Sequence, residues 1–180
     1  MGELARTLVS LSGPDSVHGI IPRALVGFEA SDRVDGGGTG VGEDKAGEGR
    51  EEVPDEQVYG KTTVVSSMHT RKQLMTQLVL AGGPGSGFIA LPGGYGTLEE
   101  LAEVVTWNQL GIHSRGVVVW DVAGFWAPLR EWVEGSVEAG FISERNKGIV
   151  RWAGDAEGCL RELVEYRVSG GVFDLRWEET

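Results

Sequence analysis

The sequence predicts an α/β fold, a parallel sheet with helices on both faces. Three observations carry that expectation. Short β-branched or apolar runs alternate with longer segments of helical spacing. One run, Val117-Val118-Val119-Trp120, is apolar throughout, as in a strand covered on both sides. A glycine-rich turn at 92–97 joins an apolar run to a helix rich in Glu and Leu, as expected where a strand of such a sheet ends.

Taken in order, residues 3–11 read as a helix and 17–21 (VHGII) as a short strand closed by Pro22. Residues 62–66 (TTVVS) are β-branched and strand-like. Residues 68–80 are helical and stop at Gly82-Gly83-Pro84-Gly85. A strand over 87–91 and a helix over 97–110 follow, then the strand at 117–120. A helix over 125–139, a strand over 149–152 and a helix over 155–168 complete the alternation. No internal repeat is visible.

A chain of 180 residues suits one domain, expected over 1–168 with a surface tail at 169–180. No apolar run reaches the ~18 residues of a membrane span. The acidic Glu3 and the lack of a long apolar core argue against a signal peptide. The single cysteine, Cys159, excludes an internal disulfide framework. A soluble cytoplasmic protein without membrane partners is the expectation. The net charge is −11, but residues 29–58 hold ten acids against three bases. This glycine-rich stretch has little apolar surface to offset its ordering entropy, so 29–60 reads as a disordered insert. The acidity therefore says little about a ligand. Nucleic-acid binding is disfavoured, for no basic stripe is present.

The turn at 92–97 is the first candidate site. Glycines 93, 94 and 96 allow close approach of a ligand and positive φ. A helix opening near Thr97 points free amides and a positive dipole end at that ligand. Together they favour an anion, most simply a phosphate. The pattern is neither a P-loop nor GxGxxG. Thr97 and Glu100 also fit a capping box, and by spacing alone capping ranks first for Glu100. Glu99 suits the dipole.

The second candidate is the helix at 68–80. Its apolar stripe, Met68, Met75, Leu78 and Val79, also passes through Arg71 and Lys72. Snorkelling at a helix end is the bland explanation. The sharper one is a cationic wall on the crevice of the glycine turn, so that phosphate, cations and carboxylate share one pocket.

At these residues the chain resembles a known family. MHTRK at 68–72 and PGGYGTLEE at 92–100 resemble the paired signatures of the LOG family, phosphoribohydrolases that activate cytokinins and once carried a lysine decarboxylase label. TWNQLGIH at 106–113 continues the likeness, and SGPDSVHGIIP at 12–22 does so more loosely. The resemblance spans residues 1 to about 165 apart from the insert. It implies a Rossmann-like fold and a homodimer. It implies hydrolysis of the N-glycosidic bond of a purine or cytokinin nucleoside 5′-monophosphate, giving free base and ribose 5-phosphate. By motif position Arg71 and Glu100 match catalytic residues. Lys72, Gly93, Gly94, Tyr95, Gly96, Thr97, Leu98, Glu99 and Thr106 match substrate-contacting positions.

The chemistry is consistent with that implication. Glycosidic cleavage passes through a cationic, oxocarbenium-like sugar, which a nearby carboxylate stabilises. Arg71 serves either the phosphate or the departing base. No cofactor or metal is expected, since His18, His69 and His113 lack ligand spacing. Trp107 and Trp120 are candidates for a base pocket, with ordinary core the expected role.

The chain departs from the family pattern in two ways. The insert and a smaller one at 82–87 lengthen surface connections. MGELARTLV resembles the end of the family's first glycine loop and the helix after it, so the expectation is that the family's first strand, first helix and second strand are missing from the stretch given. Two competing readings follow. One is a non-catalytic nucleotide- or phosphate-binding module. The other is a pyridoxal-phosphate decarboxylase, which needs a Schiff-base lysine. Only Lys72 lies near the motifs, so that reading ranks last.

Overall fold

A computed structural model describes residues 2–26 and 53–170. Most of the acidic insert and residues 171–180 lie outside the described residues. The chain forms two compact units, Met1–Met75 and Thr76–Thr180.

In the first unit, α1 spans Gly2–Ser12 and β1 spans His18–Pro22. A single helical turn, α2, spans Glu56–Tyr59, and β2 spans Lys61–Val65. The α2 turn falls within the stretch expected to be disordered. It forms because Asp55 caps it, its side chain accepting from the Gln57 amide at 2.9 Å. Strands β1 and β2 are parallel, from His18↔Lys61 to Pro22↔Val65. Gly60 enters β2 at φ 80°, with Val17 Cβ and O only 2.6 Å from where a side chain would begin. Only glycine fits there. Val9, Ile21, Val26 and Val65 are buried.

Helix α3, Met68–Ala81, runs across the division between the units. Its inward stripe differs from the expected one. Met68, Met75 and Leu78 are exposed, and Thr76 is the buried residue. The inner side instead runs through Lys72, Thr76 and Val79, three to four residues apart as the helical period requires.

The second unit holds β3 (Gly87–Ala90), α4 (Tyr95–Gln109), β4 (Gly116–Trp120), α5 (Ala127–Glu138), β5 (Val150–Ala153) and α6 (Ala156–Glu165). Its three strands are parallel in the order β3-β4-β5. Val117, Val118 and Val119 of the central strand are fully buried, as the continuous apolar run predicted. On one face Val117 and Val119 meet Leu101, Val104 and Val105 of α4, Leu129 of α5, and Trp126. On the other, Val118 meets Cys159 and Leu163 of α6. Burial raises the Cys159 thiol pKa, with Asp155 adding to the shift. Gly87 and Gly116 face each other in register, and a side chain at Gly87 would collide with the Gly116 carbonyl and Leu163. Their smallness lets α6 lie close against the sheet.

The α/β class with helices on both faces therefore holds, with strands bonded as two parallel sheets of two and three strands. Within these sheets β1 bonds only β2, and β3 bonds only β4. None of the described helices is long and apolar enough to cross a membrane.

Candidate functional site

The edge of the second unit where β3, β4 and β5 end collects its candidate residues. Beyond β3 the chain runs Leu91-Pro92-Gly93-Gly94 into α4. The helix begins two residues earlier than the sequence suggested, at Tyr95 rather than Thr97, with Gly94 as N-cap. Its first internal bond runs from the Leu98 amide to the Gly94 carbonyl at 3.0 Å. The Tyr95, Gly96 and Thr97 amides precede that bond, and no side chain caps the end.

This shift overturns the capping-box reading. Thr97 is inside the first turn, and Glu100 is the sixth residue of the helix, in its second turn. A carboxylate there cannot reach back to an N-cap amide as a box requires. Glu100 is half-buried at the border of the core stripe Leu101, Val104, Val105 and Asn108, while Glu99 and Thr106 are exposed. Tyr95 is 94% exposed, and Leu98 is also exposed.

The glycines are explained differently from the sequence reading too. None of Gly93, Gly94 or Gly96 has positive φ. Gly93 is tight, because a Cβ there would meet Thr97 Oγ1. Gly94 and Gly96 face open space. Neither backbone angle nor packing explains a glycine at 94 or 96, and inside a helix Gly96 costs about 1 kcal/mol relative to alanine. What these two positions provide is bare backbone facing outward beside free amides.

Arg71 and Lys72 lie in the first turns of α3, in the first unit, and both are half-buried. Arg71 Nη1 approaches Met68 Sδ at 4.0 Å. Ser67 caps the helix start, its Oγ accepting from the Thr70 amide at 3.1 Å. His69 is exposed, and the His18 ring lies 2.8 Å from Thr63 Oγ1 across β1 and β2. Among the described residues no cluster of metal-ligating side chains is present. Trp120 packs beside Val118, Cys159 and Leu163, and its indole donates to the Gly154 carbonyl at 3.3 Å, the core role expected.

Sequence reasoning missed several residues that brace the opposite edge, where β3 and β4 begin. His113 is buried; its Nε2 donates to the Val104 carbonyl of α4 at 2.7 Å, and its Nδ1 accepts from the Arg115 amide at 3.1 Å. Burial lowers its pKa, opposed in part by the Val104 bond, and both contacts suit the neutral ring. Asn108, fully buried, donates to the Arg115 carbonyl and accepts from the Tyr166 hydroxyl at 3.2 Å. The Arg115 guanidinium gathers the Leu80, Gly82 and Gly83 carbonyls at 2.6, 2.6 and 3.1 Å, closing the end of α3 onto the entry to β4. The loop after β4, Asp121 to Trp126, was not singled out either. Asp121 Oδ1 accepts from the Trp126 amide at 2.7 Å.

A parallel sheet whose carboxyl edge carries a glycine-lined helix end without a side-chain cap defines the class, an α/β protein. The family model described as "Possible lysine decarboxylase" matches residues 1–163, and the chain belongs to that family, the LOG family. It is 48% identical over 177 residues to the "Bifunctional cytokinin biosynthesis protein" of Fusarium pseudograminearum (strain CS3096), covering 98% of this chain and 34% of that protein. Two proteins of Oryza sativa subsp. japonica are also similar. The "Probable cytokinin riboside 5′-monophosphate phosphoribohydrolase LOGL3" is 39% identical over 181 residues, with 98% of this chain and 81% of that protein covered. The "Cytokinin riboside 5′-monophosphate phosphoribohydrolase LOG" is 40% identical over 177 residues, with 98% and 69% covered. The chain thus spans about a third of the Fusarium relative and most of the two rice proteins.

Proposed function

We propose that this protein hydrolyses the N-glycosidic bond of a purine or cytokinin nucleoside 5′-monophosphate, releasing free base and ribose 5-phosphate. The observation that carries the reading is the start of α4. Three amides open the helix without a side-chain cap, two outward glycines leave room for a ligand, and a half-buried carboxylate stands one turn further in. The Tyr95, Gly96 and Thr97 amides hold the 5′-phosphate. Glu100 stabilises the cationic sugar and orients the attacking water. The water oxygen bonds to C1′, the C1′–N bond breaks, and its electron pair and a proton leave with the base. Arg71 assists catalysis, and Lys72 contributes to substrate binding.

The relatives named as phosphoribohydrolases support this reading, and the decarboxylase description attached to the family model does not compete with it physically. A pyridoxal enzyme needs a Schiff-base lysine, and the one lysine near the motifs, Lys72, is assigned to substrate binding in this reading. The working form is a cytoplasmic homodimer that uses no nucleic acid or membrane partner.

The test is release of adenine from AMP, and of the modified base from a cytokinin riboside monophosphate, followed by chromatography. Arg71→Ala abolishes turnover, and Lys72→Ala mainly raises KM. Tight nucleotide binding without base release would instead make the protein a binding module. Sedimentation of the purified chain tests the dimer.

A further inference from the structure

Strands β3 and β4 are parallel neighbours, in register from Gly87↔Gly116 to Ala90↔Val119. The glycine turn after β3 and the Asp121–Trp126 loop after β4 therefore leave the sheet side by side at the same edge, about one strand spacing (~4.8 Å) apart. Such exit loops are usually polar, yet this one exposes Val122 (43%) and Phe125 (51%).

The loop is held firmly. The Asp121 amide donates to the Ala153 carbonyl at 2.8 Å, and its carboxylate accepts from the Trp126 amide at 2.7 Å. The Phe125 amide returns to the Val122 carbonyl at 3.1 Å. The Phe125 ring stands edge-on to the buried Trp126 indole, with centroids 5.0 Å apart at 88°. It also carries two unfavourable features. Ala123 sits in the left-handed region (φ 53°, ψ 29°), the only described non-glycine residue to do so. The Trp126 indole N–H is buried without an acceptor. Strain and an orphaned donor kept together beside a ligand edge point to a role other than stability.

We propose that this loop is the wall against which the base half of the nucleotide lies, and that Val122 and Phe125 select purines bearing an alkyl substituent. The inference rests on the nucleotide reading above. With the phosphate on the α4 amides, the sugar and base extend along the edge past the neighbouring strand end. An aromatic and a branched aliphatic side chain, both exposed and rigidly held, match a planar base and its hydrocarbon branch. They offer nothing to a charged group.

The experiment is calorimetric titration of the protein with AMP and with N6-isopentenyl-AMP, for wild type, Phe125→Ala and Val122→Ser. Wild type binds the alkylated nucleotide more tightly. Phe125→Ala loses about tenfold or more of that preference, the scale of a few methylenes in an apolar pocket, while AMP affinity changes less than about threefold. Val122→Ser, which leaves the Phe125–Trp126 pair intact, shifts the preference the same way by a smaller factor. Equal losses for both nucleotides, or an unchanged preference in both variants, would overturn the proposal. Base release, measured on the same samples, separates the two readings. A preference that behaves as stated without any turnover sinks the hydrolase reading and leaves this one standing. A wild-type protein that binds neither nucleotide sinks both.

Discussion

Glu100→Gln exchanges one carboxylate oxygen for an amide nitrogen at constant shape, so charge is what changes. As the sixth residue of α4, behind the N-cap Gly94, Glu100 stands too far along the helix to complete a capping box. The helix-dipole benefit of a carboxylate fades beyond the first turn. A half-exposed ion pair or hydrogen bond is worth at most about 1 kcal/mol. For a chain of this size that moves Tm by roughly 2–4 °C at most. Catalysis responds on a different scale. A carboxylate about 4 Å from a cationic sugar, at an effective dielectric near 20, contributes about 4 kcal/mol. Loss of comparable electrostatic stabilisers lowers kcat by about 100- to 1,000-fold. The assay is chromatographic adenine release from AMP under saturation, with thermal unfolding by circular dichroism on the same preparation. A variant within about threefold of wild-type kcat, but melting well below it, would refute the assignment and make Glu100 a structural residue.

Gly96→Ala, in open space at a helical position, raises stability by about 1 kcal/mol. The same change raises KM if a phosphate uses that bare backbone, and chemical denaturation paired with kinetics reads both. His113 has a pKa lowered by burial, so the native state takes up a proton less readily than the unfolded chain. Its contribution to stability is present above the ordinary histidine value of about 6.5 and is lost as pH falls through the lower native value. Urea unfolding between pH 7.5 and 5 should show that loss, and His113→Gln should flatten it. Arg115→Ala removes three carbonyl contacts from a charged donor and costs about 2–3 kcal/mol, while activity well below the melting temperature stays near wild type.

The class of fold was legible because its signals are local. Val117–Val119 are apolar without a break, and the structure buries them completely at the centre of a parallel sheet. Element ends were less legible, since tertiary contacts set them. The α5 helix starts at Ala127 rather than Phe125 because Asp121 takes the Trp126 amide. The α6 helix stops at Glu165, not Val168, because Tyr166 turns extended and carries its hydroxyl to Asn108. In α3 the spacing of Met68, Met75 and Leu78 suggested an inner stripe. The same helix also fits one centred on Thr76, and only packing decides between them. The Asp121–Trp126 loop was illegible for a related reason. Nothing in VAGFW announces a left-handed alanine or an exposed phenylalanine beside the glycine turn.

The turn itself shows where sequence logic gives way to geometry. Glycine is a poor helix residue, so sequence logic places Gly94 and Gly96 in the loop and starts the helix at Thr97. From that start, T-x-x-E is a capping box, and Glu100 has a sufficient structural purpose. In the structure the helix begins at Tyr95, one of its glycines lies inside it, and the box dissolves. The displacement is only two residues, yet it reverses which role for Glu100 needs the additional explanation. A half-buried carboxylate without a capping duty, one turn behind uncapped amides, is what stabilisation of a cationic sugar next to a phosphate requires. The intrinsic cost of glycine at 96 supports the same conclusion independently. Nothing packed around Gly96 accounts for it, and the proposed phosphate contact does.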